Sequence, residues 1–194
     1  MGQLALDTEY ISAAAYLKME RASDRKHEYF QGQIFEMSGA QLPHNRITRN
    51  VISALDQRLG DGPCEILPSD QRVHIPILEL FTYPDAVVVC GPPQMLPDTY
   101  LDTLLNPTLI VEVLSPSTRG YDRRDKFAFY RATASLRQYL MLDSERLLAE
   151  LYTRDPDRPG HWDFQEITDP AADVPLDSIG CRVPLAALYR GVEV

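Results

Sequence analysis

Several absences narrow the possibilities before any motif is considered. No apolar run in the 194 residues is long enough to span a bilayer, and membrane partners are not expected. The first residues, Met1-Gly2-Gln3-Leu4-Ala5-Leu6-Asp7, lack the basic stretch and apolar core of a secretory leader. Cysteine is scarce: Cys64, Cys90 and Cys181 are far apart, with none of the spacing of a metal site. They read as reduced thiols of a cytoplasmic protein. Positive charge is also short, with a net charge of −9 and a pI near 4.9. That sign counts against a constitutive nucleic-acid binder, although a metal ion or a local basic patch offsets it. There is no internal repeat, no low-complexity tract, no recognition helix and no aromatic stacking platform. No linker divides the chain, and residues 1–194 read as a single domain with one sizeable core.

Two stretches carry the chemistry. Tyr83-Pro84-Asp85-Ala86-Val87-Val88-Val89 and Leu109-Ile110-Val111-Glu112-Val113-Leu114 are short, β-branched-rich runs that read as buried central strands. Each holds one carboxylate where an apolar residue belongs. A buried carboxylate is costly unless an ion pair, hydrogen bonds or a metal offsets it. Alternation groups Asp85 with Val87 and Val89, and Glu112 with Ile110 and Leu114. If those faces coincide the acids converge, and oxygen ligands of this kind suit Mg2+ or Mn2+. The structural alternative pairs each acid with an arginine.

Around these runs the pattern predicts a helix over residues 7–21, capped at Asp7-Thr8, with Ala13, Ala14, Tyr16 and Leu17 as its buried stripe. A hairpin follows over residues 28–37, turning at Gln31-Gly32. A second helix spans Pro43 to Leu59, with His44 on the apolar face of Ile47, Val51 and Leu55. Residues 64–67 and 70–75 read as a strand pair turning at Pro68-Ser69. The acidic, proline-rich stretch from Gly91 to Pro107 reads as a surface loop with one helical turn. Asp122 to Ala132 reads as a helix with Arg123, Lys126, Phe127 and Tyr130 on one face. Strands over 138–142, 148–153 and 161–167 and a short helix near Leu185 complete the chain. This order defines an α/β fold, a mixed β-sheet flanked by helices, with an N-terminal helix and β-hairpin.

An ordered set of segments extends the reading. It comprises His27-Glu28-Tyr29-Phe30-Gln31-Gly32-Gln33-Ile34, Ser38-Gly39-Ala40 with His44-Asn45-Arg46-Ile47, and Ser69-Asp70-Gln71-Arg72-Val73. Tyr83-Pro84-Asp85, Val111-Glu112-Val113-Leu114-Ser115-Pro116-Ser117-Thr118 and Tyr121-Asp122-Arg123-Arg124-Asp125-Lys126 follow, with Tyr130 beyond. From about Tyr10 to Val192 the chain resembles the Uma-two group of restriction-endonuclease-like proteins, within the PD-(D/E)XK nuclease superfamily. The resemblance implies a magnesium-dependent endonuclease. Asp85, Glu112 and the Val113 backbone carbonyl would hold Mg2+ (or Mn2+), and an ion-activated water would hydrolyse a DNA phosphodiester. Glu28 and His44 match polar positions near such a site. The superfamily lysine is expected two residues after Glu112, where this chain has Leu114. Lys126, on the following helix, is the substitute. A homodimer is expected, because two copies cut two strands.

Bland readings stand beside these. Glu28 serves equally as an exposed strand residue or the partner of an arginine, Lys126 as a solvated helix residue, and His74 and His161 as surface residues. Arg123, Arg124 and Arg131 suit either phosphates or the helix dipole. A nuclease-fold protein without catalysis, acting as a nucleic-acid-binding or interaction module, is the competing function.

Overall fold

The computed structural model describes residues 9–116, 120 and 122–194. Helix α1 (Ala13–Glu20) is shorter than the sequence pattern suggests and is capped by Ser12, whose hydroxyl accepts the Ala15 N–H at 3.2 Å. The anticipated cap, Asp7-Thr8, lies outside the described residues. The helix buries Tyr16, Leu17 and Glu20, while Ala14 stays exposed. Strands β1 (His27–Phe30) and β2 (Gln33–Glu36) form the expected hairpin. Gln31 and Gly32 both have positive φ, 46° and 86°, the combination whose twist suits a two-residue hairpin turn. A Cβ at Gly32 would lie 2.2 Å from the Tyr10 ring, so space as well as φ selects glycine.

Helix α2 (Leu42–Leu59) has its proline in the first turn and buries Ile47, Asn50, Val51 and Leu55. Asn50 is the polar member of that face. Its amide donates to the Leu188 and Arg190 carbonyls, each at 2.9 Å, and ties the helix to the C-terminal segment.

Beyond α2 the chain alternates between two sheets. The larger is built from β3 (Cys64–Pro68), β6 (Ala86–Cys90), β8 (Leu109–Leu114), β9 (Gln138–Asp143), β10 (Ala149–Arg154) and β11 (Trp162–Ile167). Its order is β11-β10-β9-β8-β6-β3, with β8 and β9 parallel and the other neighbours antiparallel. The smaller adds β4 (Arg72–Ile75), β5 (Leu80–Thr82) and β7 (Thr103–Leu104) to the hairpin, in the order β2-β1-β5-β4-β7. A two-stranded ribbon, β12 (Asp173–Leu176) with β13 (Cys181–Pro184), precedes the short helix α4 (Leu185–Leu188).

Four expectations are corrected. β3 and β4 do not pair: β3 lies on the edge of the large sheet beside β6, and β4 belongs to the small sheet. The apolar run of β6 needs a neighbour on each side, which β3 and β8 supply. The stretch before Asp85 is a separate strand, β5, because Pro84 has no N–H and interrupts the ladder. Between Gly91 and Pro107 lies strand β7 rather than a helical turn. Finally, Cys64 and Cys90 are not free thiols. They face each other across β3 and β6, 4.0 Å apart at Cα, and form a disulfide, leaving Cys181 free. The case for a reducing compartment rested on three free thiols and loses that support. Among the described residues, no helix is long and apolar enough to cross a membrane.

The large sheet is covered on both faces. One face packs against α2 and the C-terminal ribbon through Val88, Val111, Val113 and Leu140. The other buries Val87, Val89, Ile110, Leu114, Tyr130, Tyr139 and Met141 together with Val73, Ile75 and Leu80 of the small sheet. Burial on both faces is why these strands read as continuous apolar runs.

Candidate active site

Glu112 belongs to this second face, and Asp85 stands beside it. β6 and β8 run antiparallel with Val87 opposite Ile110 and Ala86 opposite Val111, and the same register, one step on, sets Asp85 beside Glu112. Ile110, Leu114 and Tyr130 share one cluster, and alternation directs Glu112 to that side, where the Tyr130 hydroxyl meets it. Asp85 sits in the bend immediately before β6 rather than within a strand. Its side chain is 18% exposed, whereas that of Glu112 is 6% exposed. One acid therefore stands at the lip of the site and the other inside it.

Asp85 accepts the Val113 N–H on Oδ2 at 2.7 Å, and His44 Nε2 lies 3.1 Å from its Oδ1. The first turn of α2 brings His44 there. Glu112 Oε1 receives Lys126 Nζ at 3.0 Å and the Tyr130 hydroxyl at 2.7 Å. Lys126 also lies 3.3 Å from Glu28 Oε1, which accepts the Thr82 hydroxyl at 2.5 Å. Thr82 Oγ1 and Tyr130 OH are 3.3 Å apart and close the ring. Glu28, Glu112 and Lys126 thus form one contact set and His44 with Asp85 another, and the Glu112–Val113 peptide joins the two.

In these contacts Asp85 meets an imidazole and a backbone N–H, and Glu112 an ammonium and a phenol. Glu28 is buried against Lys126, not exposed, and Lys126 is 7% exposed rather than solvated. The position two residues past Glu112 is filled by Leu114, fully buried in the core, so an ammonium reaches Glu112 from across the sheet face instead. Lys126 ends a five-residue π-helical turn, Asp122–Lys126, that runs directly into α3 (Phe127–Tyr130). Such turns are rare and occur mostly at functional sites. Arg123, weighed as a phosphate contact, turns onto the sheet: its Nε lies 2.6 Å from Glu150 Oε2. His74 is half-buried and stacked on Phe81 at 3.9 Å, not a surface residue, while His161 is exposed.

Sequence reasoning passed over Thr82. A three-residue strand carries no periodicity, so its hydroxyl looked unremarkable beside Tyr83-Pro84-Asp85. Tyr130 was visible only as the residue one turn beyond Lys126. Its phenol is held well above its ordinary pKa, first by burial and then by the neighbouring Glu112 charge. It therefore stays protonated and donates to that carboxylate.

In these contacts Glu28 and Glu112 share the Lys126 ammonium, and Asp85 meets the His44 imidazole. Elsewhere, Asp155, His161 and Asp163 cluster at the β10–β11 turn, but Arg158 already lies 2.5 Å from Asp155 and 3.9 Å from Asp163.

This fold is that of a restriction-endonuclease-like nuclease. A crystal structure described as a putative nuclease belonging to DUF820, from Anabaena variabilis, superposes with a TM-score of 0.72 at 18% identity. The match covers 92% of this chain and 97% of that one. Residues 13–186 match the model of the Uma2 family, described as "Putative restriction endonuclease", and the chain belongs to that family. Two uncharacterized Synechocystis proteins are similar along nearly their whole length. One, sll1609, is 36% identical over 167 residues, 86% of this chain and 93% of its own. The other, slr1290, is 35% identical over 183 residues, 94% of this chain and 93% of its own.

Proposed function

We propose that this protein is a divalent-metal-dependent DNA endonuclease whose site is built on Asp85 and Glu112. The observation that carries the reading is the placement of Asp85 and Glu112, two largely buried carboxylates set side by side by the β6–β8 register. Neighbouring buried carboxylates repel one another, and a divalent cation between them offsets that repulsion. The donors are carboxylate oxygens with a backbone carbonyl at hand, the set that Mg2+ or Mn2+ accepts. Asp85, Glu112 and the Val113 carbonyl would hold the ion. Bound there, it would supply positive charge to the scissile phosphate and make a water easier to deprotonate.

The protein's own groups do the positioning. His44 and the Val113 N–H fix the two oxygens of Asp85, limiting its rotation. Tyr130 and Lys126 orient Glu112 through hydrogen bonds to its Oε1, that from Lys126 charge-assisted. Lys126 is the one ammonium in this set of contacts, suited to stabilise negative charge as a phosphate is attacked. The substitution of Leu114 for the superfamily lysine is accommodated on this reading, because the charge comes from the helix.

Nicking of supercoiled plasmid in Mg2+, compared with Asp85→Ala, tests the proposal. The wild type should cut and the variant should not. Equal inactivity across metals and DNA forms would favour the second reading, a non-catalytic binding or interaction module, to which the net charge of −9 is better suited. We further propose that residues 1–194 act as one unit and as a homodimer, since two-fold pairs are the commonest assemblies and two sites cut two strands. A monomer in gel filtration at working concentration would count against the dimer.

A further inference from the structure

The chain has 19 basic residues, and three of them are lysines: Lys18, Lys26 and Lys126. Lys18 is exposed on α1 and Lys26 is partly exposed, whereas the Lys126 side chain is 9% exposed between two carboxylates. A flexible four-carbon stem needs a fixed root to be held there. The π-helical turn that carries it is five residues long and runs directly into α3.

Arg123, three residues earlier in that turn, reaches the opposite way. Its guanidinium lies 2.6 Å from Glu150 Oε2 on β10 and 3.7 Å from Asp143 Oδ2 at the end of β9. Both acids are well covered: the Asp143 side chain is fully buried and that of Glu150 is 12% exposed. Glu150 stands directly opposite Glu166 across β10–β11. Like charges so placed destabilise a ladder. The sheet gains nothing from Glu150, whereas the turn gains an anchor. Asp143 also holds Arg146 at 2.9 Å, which makes Glu150 the principal partner of Arg123.

We infer that Arg123 is a positioning residue. Its ion pair with Glu150 pins the π-helical turn to the large sheet and so holds Lys126 between Glu28 and Glu112. Downstream, Phe127 stacks on Tyr152 at 3.9 Å and Tyr130 is fully buried, so the far end of the segment is anchored independently. The Arg123 clamp governs the near end. The inference rests on the proposed function only in assigning Lys126 a use; how Lys126 is held is a separate question with its own readout.

That readout is acylation of the full-length, metal-free protein by an N-hydroxysuccinimide ester, with each lysine quantified by mass spectrometry. Lys18 and Lys26 serve as internal standards. In Arg123→Ala the labelling rate of Lys126 should rise about fivefold, the factor available at the upper end for one partly exposed ion pair. Rates at Lys18 and Lys26 should not change. Arg123→Glu should label faster still, and adding Glu150→Arg should return Lys126 toward wild-type protection, a rescue that general destabilisation would not produce. Plasmid cleavage should follow the same order, with kcat falling and KM held. Unchanged Lys126 labelling in Arg123→Ala would overturn the inference, as would failure of the charge swap to restore protection. A loss of cleavage without a change in labelling would overturn it too, pointing to a phosphate contact by Arg123. If all three lysines label faster in Arg123→Ala, the fold has loosened, and Glu150→Gln then poses the same question with Arg123 intact. Correct labelling behaviour in a protein that never cuts DNA would uphold the clamp and sink the nuclease reading alone.

Discussion

Two buried polar networks lie back to back in this protein, and neighbouring residues feed opposite ones. In β1, His27 turns toward α1 while Glu28 turns toward the Asp85–Glu112 site. At the end of β5, Thr82 joins the site and Tyr83 joins the other network. In that second network Glu20 binds the His27 ring at 2.9 Å and accepts the Tyr83 hydroxyl at 2.9 Å. Arg72 donates to Tyr83 and to Thr103, each at 2.9 Å. Its Nη2 lies 2.7 Å from Asp102 Oδ2, poorly aligned for a hydrogen bond but close enough for an ion pair. Arg21 binds Asp102 and Asp98 at 2.8 and 2.6 Å. Each network contains three carboxylates and one histidine. They differ in the cations of these contacts: the Arg21 and Arg72 guanidiniums in one, the Lys126 ammonium in the other.

The difference separates a structural device from a functional one. Around Arg72 nearly every charge has a partner, and four separate parts of the chain are tied together: α1, β1, β4 and the loop before β7. The Asp102 carboxyl is held well below its usual range, chiefly by its hydrogen bond to Arg21 with Arg72 adding to it. Around Glu112 the cation in these contacts is an ammonium on a flexible stem rather than a guanidinium fork. Carboxylates gathered in this way gain stability when a cation binds between them. Natural proteins retain such a cluster where it serves function.

The largest effect should come from breaking the Arg72 network. Arg72→Met should lower stability by about 2–3 kcal/mol, because Tyr83 and Thr103 lose a charged hydrogen-bond donor and Asp102 loses an ion pair. Chemical denaturation would measure it, and a loss under about 1 kcal/mol would remove the distinction between the networks. Glu112→Gln should do the reverse. Cleavage should drop by about a hundredfold or more, while stability holds or rises, because the variant relieves repulsion among the acids. A destabilisation as large as that of Arg72→Met would mean the site carries the fold.

A smaller effect is expected at His74, which shares a strand face with Arg72. Burial pushes its pKa down to about 4, so the folded protein keeps it neutral. The unfolded chain takes up a proton near pH 6.5. Stability should therefore fall as pH drops from about 6.5 toward 4, and the contribution should vanish at neutral pH. Allowing for partial exposure, His74→Phe should recover about 1 kcal/mol at pH 5. Denaturation curves at pH 5 and pH 7.5 would show whether the gain is confined to acid.

Parts of this arrangement were legible in the chain itself. Asp85 and Glu112 stood out because each interrupts a β-branched run, and Lys126 because it shares a helical face with Tyr130. Glu28 and His44 came from family resemblance rather than from periodicity. Thr82 was hidden in a strand too short to show a period. The Cys64–Cys90 disulfide was hidden because their opposition depends on the β3–β6 register, and β3 looked like the neighbour of β4. The Arg72 network was least visible of all, since its members approach from segments scattered between Glu20 and Thr103 and no local pattern joins them.

The central claim is that the Asp85–Glu112 site, unlike the Arg72 network, binds a divalent cation. The most direct test is thermal unfolding of wild type, Asp85→Asn and Arg21→Gln during titration with MgCl2 at constant ionic strength. At a hundredfold excess over Kd, a bound ion adds about 2.7 kcal/mol, or about 5–10 °C for a chain of this size. The account predicts that rise in wild type and in Arg21→Gln, and its absence in Asp85→Asn. No rise in wild type, or an equal rise in Asp85→Asn, would contradict it.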